Sequence, residues 1–370
     1  MKILFTGGGT GGHVFPLVAI AREIRRIYSN KNLEMHYLGP KDEFGLILLA
    51  QEDFIIKKII SGKLRRYFAW QNFVDILFKI PFGILQSFFI LLKLKPDLVF
   101  SKGGSGSISV TFSARLLRIP VFVHESDVVP GLSNQKTSKW AKKIFTSFEK
   151  TEFFNPEKVK VVGNPIRKEI LEGDKQIAGD LLNLTFSKPI ILVIGGSQGA
   201  EAINDFVLLV LNELLKSYEI IHVTGRENFR GVQAEAQVVV EKDLQRYYHP
   251  VDFLDEEKIK HIYKASDLII SRSGSGSIFE IAGVGKPSIL VPLPSSAGDH
   301  QAKNAYAYAE SGATEVMEQD NLVPNLFLEK LKLLFLEEKL AKMGECALAF
   351  SKPLAARAVA REILEFLTLD

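Results

Sequence analysis

One cysteine, Cys346, stands in a chain of 370 residues, so neither a disulfide framework nor a thiolate metal cluster can organise it. No Asp-x-Asp pair occurs anywhere, which removes the usual ligands of a metal-held sugar diphosphate. The glycine-rich segments lack the Lys-Ser/Thr of a Walker loop, and ATP hydrolysis is not indicated. His124-Glu125 has no second histidine at helical spacing and is not the zinc motif. In the most hydrophobic region, the charge-free stretch between Lys79 and Lys93 falls short of the roughly 18 residues a spanning helix needs. Met1-Lys2, followed at once by the strand-like Ile3-Leu4-Phe5, is no signal peptide. The expectation is a soluble, cytoplasmic protein without a metal.

What is present is apolar substance and an uneven charge. Hydrophobic residues make up 46% of the chain and charged ones 24%, enough for two cores and too apolar for disorder. Residues 1–165 hold 24 Lys and Arg against 13 Asp and Glu, whereas the remainder holds 22 against 30. That split suggests two modules, the first with an anionic partner such as phosphate or a membrane surface. Nucleic acid is not expected, because the basic residues are dispersed and no reading motif accompanies them.

Short apolar runs alternate with helix-length segments throughout, the pattern of βαβ units and a parallel sheet. Lys2–Thr6, Met35–Leu38, Asp97–Ser101 and Val121–His124 read as strands of a first α/β domain, with a helix over Phe15–Tyr28. Pro189–Ile194, Glu219–Thr224, Leu268–Ser271 and Ser288–Val291 read as strands of a second. Gly163-Asn164-Pro165 punctuates the chain where the charge changes sign, which sets domains at 1–164 and 165–350. The stretch 351–370 contains an amphipathic helix that could cross back onto the first domain. The halves echo one another. Gly7–Gly12 is matched by Gly195–Ala200, and Lys102–Ile108 by Arg272–Ile278. Two doubly wound domains facing across a cleft would bring these four loops together, since ligands bind beyond the carboxyl ends of parallel strands.

Each motif has a bland reading beside the chemical one. Gly7, Gly9 and Gly12 match G-x-G-x-x-G, whose backbone can approach a pyrophosphate at a helix N-terminus. A dinucleotide would need an acid at the tip of the second strand, where Leu38-Gly39-Pro40 offers none, so another anion is the better reading and a purely structural turn the alternative. His13 follows this loop in the first helical turn, where the cationic form is disfavoured and a neutral, proton-accepting imidazole results. A packing or capping histidine is the commoner case. His124, Glu125 and Asp127 cluster at a strand end with Asn134 nearby, a place where polar groups tend to meet ligand. Arg272 and the small residues that follow open a helix carrying Glu280 one turn in. That carboxylate could accept two ribose hydroxyls while amides and Arg272 hold phosphate charge, or could simply answer the helix dipole. Asp299-His300-Gln301 with Asn304 suits hydroxyl or amide contacts.

Leu64–Leu94 carries Tyr67, Phe68, Trp70, Phe73, Phe78, Phe82, Phe88 and Phe89, bracketed by Lys63, Arg65, Arg66, Lys79, Lys93 and Lys95. Apolar rings with flanking cations fit an interfacial anchor on anionic headgroups. Ordinary helices packed on the sheet account for part of it.

Taken in order, Gly7–His13 with Pro16, His124-Glu125 with Gly131 and Asn134, Gly163–Arg167, Gly195–Ala200, Ser271–Gly274 to Glu280, and Asp299–Gln301 with Asn304-Ala305 form a recognisable series. Over nearly its whole length the chain resembles the MurG family, N-acetylglucosaminyltransferases of the GT-B fold that act on a lipid-linked muramyl acceptor. The resemblance implies an inverting, metal-independent transfer with no cofactor, at the cytoplasmic face of the membrane. UDP-N-acetylglucosamine (UDP-GlcNAc) would be the donor, meeting Leu254 through its uracil, Glu280 through its ribose, and Ser197 with Ser275, Gly276 and Ser277 through its diphosphate. Ile278 and Phe279 belong to the same helical turns. His300 and Gln301 would take sugar hydroxyls, and Arg167 and Arg272 would complete the donor site. Lipid I would be the acceptor, its pyrophosphate on Thr10, Gly11 and Gly12, with Asp127 and Asn134 beside it. His13 would be the base and Glu125 the reserve candidate.

Three positions depart from the family. Ser126-Asp127 stands where Gln-Asn is usual, replacing a donating amide by an acceptor-only carboxylate. Ser105 stands where an aromatic is common. Other readings are a different GT-B enzyme using a UDP-sugar, such as a glycolipid synthase or a UDP-GlcNAc 2-epimerase, and a non-catalytic sugar-nucleotide-binding subunit. The epimerase would need more acids in the cleft and no membrane patch.

Overall fold

The computed structural model describes all residues except 9–10, 30–31, 42, 63–72, 150–152, 196–199, 337 and 369–370. Thr10, Ser197, Lys63, Arg65, Arg66, Tyr67, Phe68 and Trp70 therefore lie outside the described residues. The chain divides into two compact units, Met1–Arg167 with Lys352–Asp370, and Lys168–Ser351.

In the first unit seven parallel strands, β1 (Lys2–Thr6), β2 (Glu34–Gly39), β3 (Ile55–Lys58), β4 (Leu98–Ser101), β5 (Val121–Glu125), β6 (Lys143–Thr146) and β7 (Val159–Val161), lie in the order β3-β2-β1-β4-β5-β6-β7. The strand order reverses between β1 and β4, so their carboxyl ends diverge into the crevice where such sheets take ligands. Ile3, Leu4, Phe5, Val99, Phe100 and Val123 are buried on both faces, as strands covered by helices must be. The helix Ala355–Thr368 returns to this unit. Its Val359, Ala360 and Ile363 share a core with Val14, Leu17 and Ile20, and Lys143 and Lys160 both donate to Glu362.

The helix Asp75–Leu94 has a mean hydropathy of 1.7 and by length and composition could cross a membrane. It outruns the charge-free stretch seen in the sequence because a π-helical turn, Asp75–Lys79, extends it, with Asp75 paired to Lys79 at 2.8 Å. One face is fixed. Gly83, Ser87 and Leu91 are buried, and Ser109 and Ser113 of the helix Ser107–Leu116 donate to the carbonyls of Ile80 and Ile84. The opposite face leaves Phe78, Phe82, Leu85 and Phe89 more than half exposed.

The second unit has six parallel strands, β8 (Ile190–Ile194), β9 (Glu219–Val223), β10 (Tyr248–Val251), β11 (Leu268–Ser271), β12 (Ser288–Leu290) and β13 (Thr314–Val316), ordered β10-β9-β8-β11-β12-β13. Here the order reverses between β8 and β11. Each unit is thus a doubly wound α/β domain.

Candidate functional site

In the first unit the helix after β1 begins at Gly11, four residues before the start read from the sequence. Gly11, Gly12 and His13 therefore form its first turn, and Pro16 lies inside the helix, where it cannot donate to the Gly12 carbonyl. Two glycines set the geometry. A Cβ on Gly8 would lie 2.3 Å from the Ser105 nitrogen, so the loops after β1 and β4 touch backbone to backbone. Gly104 has φ +83°, and a Cβ there would stand 2.9 Å from Gly8 Cα and 3.0 Å from His13 Nε2. The His13 imidazole thus rests against the second loop at the switch point, half-buried. Gly104→Ala should cost about 1–3 kcal/mol in stability through strain at that φ, and should displace His13 as well. Chemical denaturation together with a turnover assay measures both, and an unchanged midpoint and rate would contradict this geometry.

The polar cluster at the end of β5 is more inward than its strand-end position suggests. Glu125 is buried, and its Oε1 accepts from the Ser126 and Asp127 amides at 2.8 and 3.0 Å. Its Oε2 accepts from the Gly131 amide at 3.1 Å and from Asn134 Nδ2 at 2.9 Å. Burial, then the Asp127 charge, push its carboxyl above the ordinary value, while the loop amide, Lys102 and Asn134 draw it back. With both oxygens committed, Glu125 shapes the loop 126–131, which weakens the case for it as a reserve base. Asn134 is buried too. Its amide donates to the His124 carbonyl at 3.1 Å as well as to Glu125, making it a brace in place of the acceptor contact expected. His124 Nε2 bonds the Gly163 carbonyl at 2.9 Å, and burial, then Lys102, hold its pKa well below the usual value. Asp127 alone of this group stays half-buried.

Lys102 was not singled out by sequence reasoning. It is 2% exposed, and its ammonium donates to Ser126 Oγ. The available signal was a lysine set at the carboxyl end of a buried strand, just before a glycine loop. Arg167, expected in the donor site, lies in the first unit with its guanidinium centre 4.0 Å over the Phe15 ring.

In the second unit the helix Ser275–Gly283 follows β11, with Gly274 as an N-cap that makes no side-chain cap bond. A Cβ on Gly274 or Gly276 would meet nothing within 4 Å, so the helix N-terminus has open space before it. Glu280 is half-buried one turn in, its Oε2 accepting from the Tyr263 hydroxyl at 3.2 Å. The side chains of Ile278 and Phe279 are in the core, Phe279 against Phe350, so only their backbone can reach a ligand. Arg272 is also turned inward. Its Nη1 donates to the Val291 and Pro292 carbonyls, both at 3.2 Å, and its Nη2 to Gln319 Oε1 at 2.7 Å. That guanidinium braces the loop after β12, a physical reason to withdraw it from the phosphate.

Gln301 fixes the same loop, its Oε1 accepting from the Leu293 amide at 3.0 Å and its carbonyl from Ser273 Oγ at 2.8 Å. His300 adjoins it, with Nδ1 3.1 Å from the Ala297 carbonyl. Leu254 follows β10 beside Phe253, over whose ring the Arg226 guanidinium stands at 4.7 Å. Leu254, Ser275, Gly276, Ser277, Glu280, His300 and Gln301 all belong to segments leaving, or one turn beyond, the carboxyl ends of one sheet. Among the described residues no three His, Cys, Asp or Glu side chains group to hold a metal.

Residues 3–146 match the glycosyltransferase family 28 N-terminal domain, and residues 190–359 the glycosyltransferase family 28 C-terminal domain. A UDP-N-acetylglucosamine--N-acetylmuramyl-(pentapeptide) pyrophosphoryl-undecaprenol N-acetylglucosamine transferase from Clostridium kluyveri is 39% identical over 336 residues, 90% of this chain and 91% of its own. The Clostridium tetani protein of the same name is 37% identical over 339 residues, 90% of each. The crystal structure of Acinetobacter baumannii MurG superposes with a TM-score of 0.75 at 26% identity, covering 98% of this chain and 99% of that one.

Proposed function

The chain belongs to glycosyltransferase family 28 and within it to the MurG transferases, and on that premise we propose how it acts. It transfers N-acetylglucosamine from UDP-GlcNAc to undecaprenyl-pyrophosphoryl-MurNAc-pentapeptide, turning lipid I into lipid II in peptidoglycan synthesis. The observation that carries the donor half is the helix Ser275–Gly283, whose N-terminus faces open space one turn before a half-buried carboxylate. Amides and dipole at that end suit a diphosphate, and Glu280 suits the two ribose hydroxyls. As the glycosidic bond breaks, charge grows on the departing UDP, and preorganised amides there stabilise it without metal.

The acceptor belongs to the first unit, with its diphosphate at Gly11-Gly12 and its sugar near His13. The muramyl C4 hydroxyl attacks the anomeric carbon from the face opposite UDP while the neutral His13 imidazole takes its proton. The new bond is β-1,4. Mass spectrometry of a short-chain lipid I analogue after incubation with UDP-GlcNAc tests the reading. One added N-acetylhexosamine is expected, its inverted anomeric configuration read from the proton NMR coupling, and an unmodified acceptor would refute it.

The enzyme works peripherally on the cytoplasmic face of an anionic membrane. Support for this comes from the exposed Phe78, Phe82 and Phe89, with Lys79, Lys93 and Lys95 exposed on or next to the same helix. Replacing the three phenylalanines with serine should weaken binding to anionic vesicles at least about tenfold, from loss of buried apolar area. Turnover of a water-soluble acceptor should persist. Vesicle binding equal to wild type would remove this face from the membrane contact.

A further inference from the structure

Lys102 lies where a solvated lysine cannot, at the carboxyl end of β4 beside the switch point, with its side chain wholly covered. Its ammonium donates to Ser126 Oγ, and the charges that bear on it are the Glu125 and Asp127 carboxylates. A hydroxyl that accepts from an ammonium must direct its own proton elsewhere and becomes a stronger donor. Glu125 is engaged by the loop's own groups, and Asp127 adds a second, half-buried carboxylate to this loop. An anionic substrate group held here meets that charge.

Resting on the reading that the first unit takes the acceptor, we propose that Lys102 is a positioning residue for the acceptor's diphosphate. From beneath the loop after β5 it fixes and polarises Ser126 and offsets Asp127, so that the loop tolerates an anion. The Ser126-Asp127 pair removes a donating amide, and the buried ammonium supplies a donor and a positive charge in its place.

The charge balance has a pH signature. Burial draws the Lys102 ammonium down to about 8, with Glu125 and then Asp127 holding it up in part. His124, its other titratable neighbour, stays neutral through burial and contributes no charge. The ammonium is present below that pH and lost above it. The acceptor KM should therefore climb above about pH 8 while the donor KM does not.

The test is Lys102→Met, assayed against both substrates with the wild type alongside. Its acceptor KM should rise about tenfold or more, the order expected for a lost charge-assisted hydrogen bond, with donor KM unchanged and the rise above pH 8 abolished. Asp127→Asn in that background should recover most of the loss by removing a negative charge from the loop, which a merely structural lysine would not allow. Titration with inorganic pyrophosphate reads the same order of affinities without turnover. Should Lys102→Met fail to fold, the wild-type pH profile and Asp127→Asn alone, expected to lower the acceptor KM, still decide. A flat acceptor KM across about pH 7–9, or donor and acceptor KM rising together, would overturn the proposal. A wild type that transfers GlcNAc yet shows none of these effects removes only the Lys102 role, whereas one that transfers nothing removes the function reading beneath it.

Discussion

His13→Ala should lower kcat at least about 100-fold with little change in donor KM, since a positioned general base contributes about 10²–10⁴-fold. The expectation rests on elimination among neighbours as well as on position. His124 is fully buried and bonded to Gly163, and Glu125 has both oxygens engaged by its own loop. His13 stands instead half-buried in the first helical turn, its Nε2 against Gly104 where the loops after β1 and β4 meet. A base must be deprotonated to act, so the wild-type kcat should fall towards low pH and the variant should lose that acidic limb. A variant that keeps the limb, or loses less than tenfold, would make His13 a binding residue and pass the base role to Asp127.

Glu280→Ala should raise the donor KM by about 10–150-fold, the equivalent of the 1.5–3 kcal/mol carried by a hydrogen bond to a charged group. The ribose contact is made equally in ground and transition states, so kcat should move far less than KM. The Tyr263 hydroxyl donates to this carboxylate at 3.2 Å and loses that bond in the variant, while the buried Ile278 and Phe279 should keep the helix in place. Steady-state kinetics with varied UDP-GlcNAc decides the matter, and an unchanged donor KM would exclude Glu280 from the site.

The strands that carry the sites were legible because they are short, continuous apolar runs: β1, β4, β5, β8 and β11 lie within a residue of where the pattern puts them. The paired glycine loops were legible for the same reason, since each follows one of those runs, and the fold class followed from them. The edge strands β3, β7, β10 and β13 were not, being brief and at most partly covered, so burial wrote no clear pattern into them, and the short inner strand β6 was missed as well. The early start of the first helix escaped because glycines read as loop even where they form a first turn. Side-chain direction was the larger loss. Arg272 and Glu125 stand at strand ends and Asn134 in the short helix after β5, places typical of ligand contacts, yet each turns inward to satisfy nearby backbone groups. Lys102 was passed over because an isolated lysine reads as solvent-facing, and only the packing of β4 between β1 and β5 shows it covered.

Release of UDP from UDP-GlcNAc, followed with and without a short-chain lipid I analogue and repeated with a chelator present, tests the central claim most directly. The account predicts UDP release that depends on the acceptor, matches the glycosylated product one for one, and is indifferent to the chelator. UDP release at the same rate without acceptor, or acceptor recovered unmodified, would contradict it.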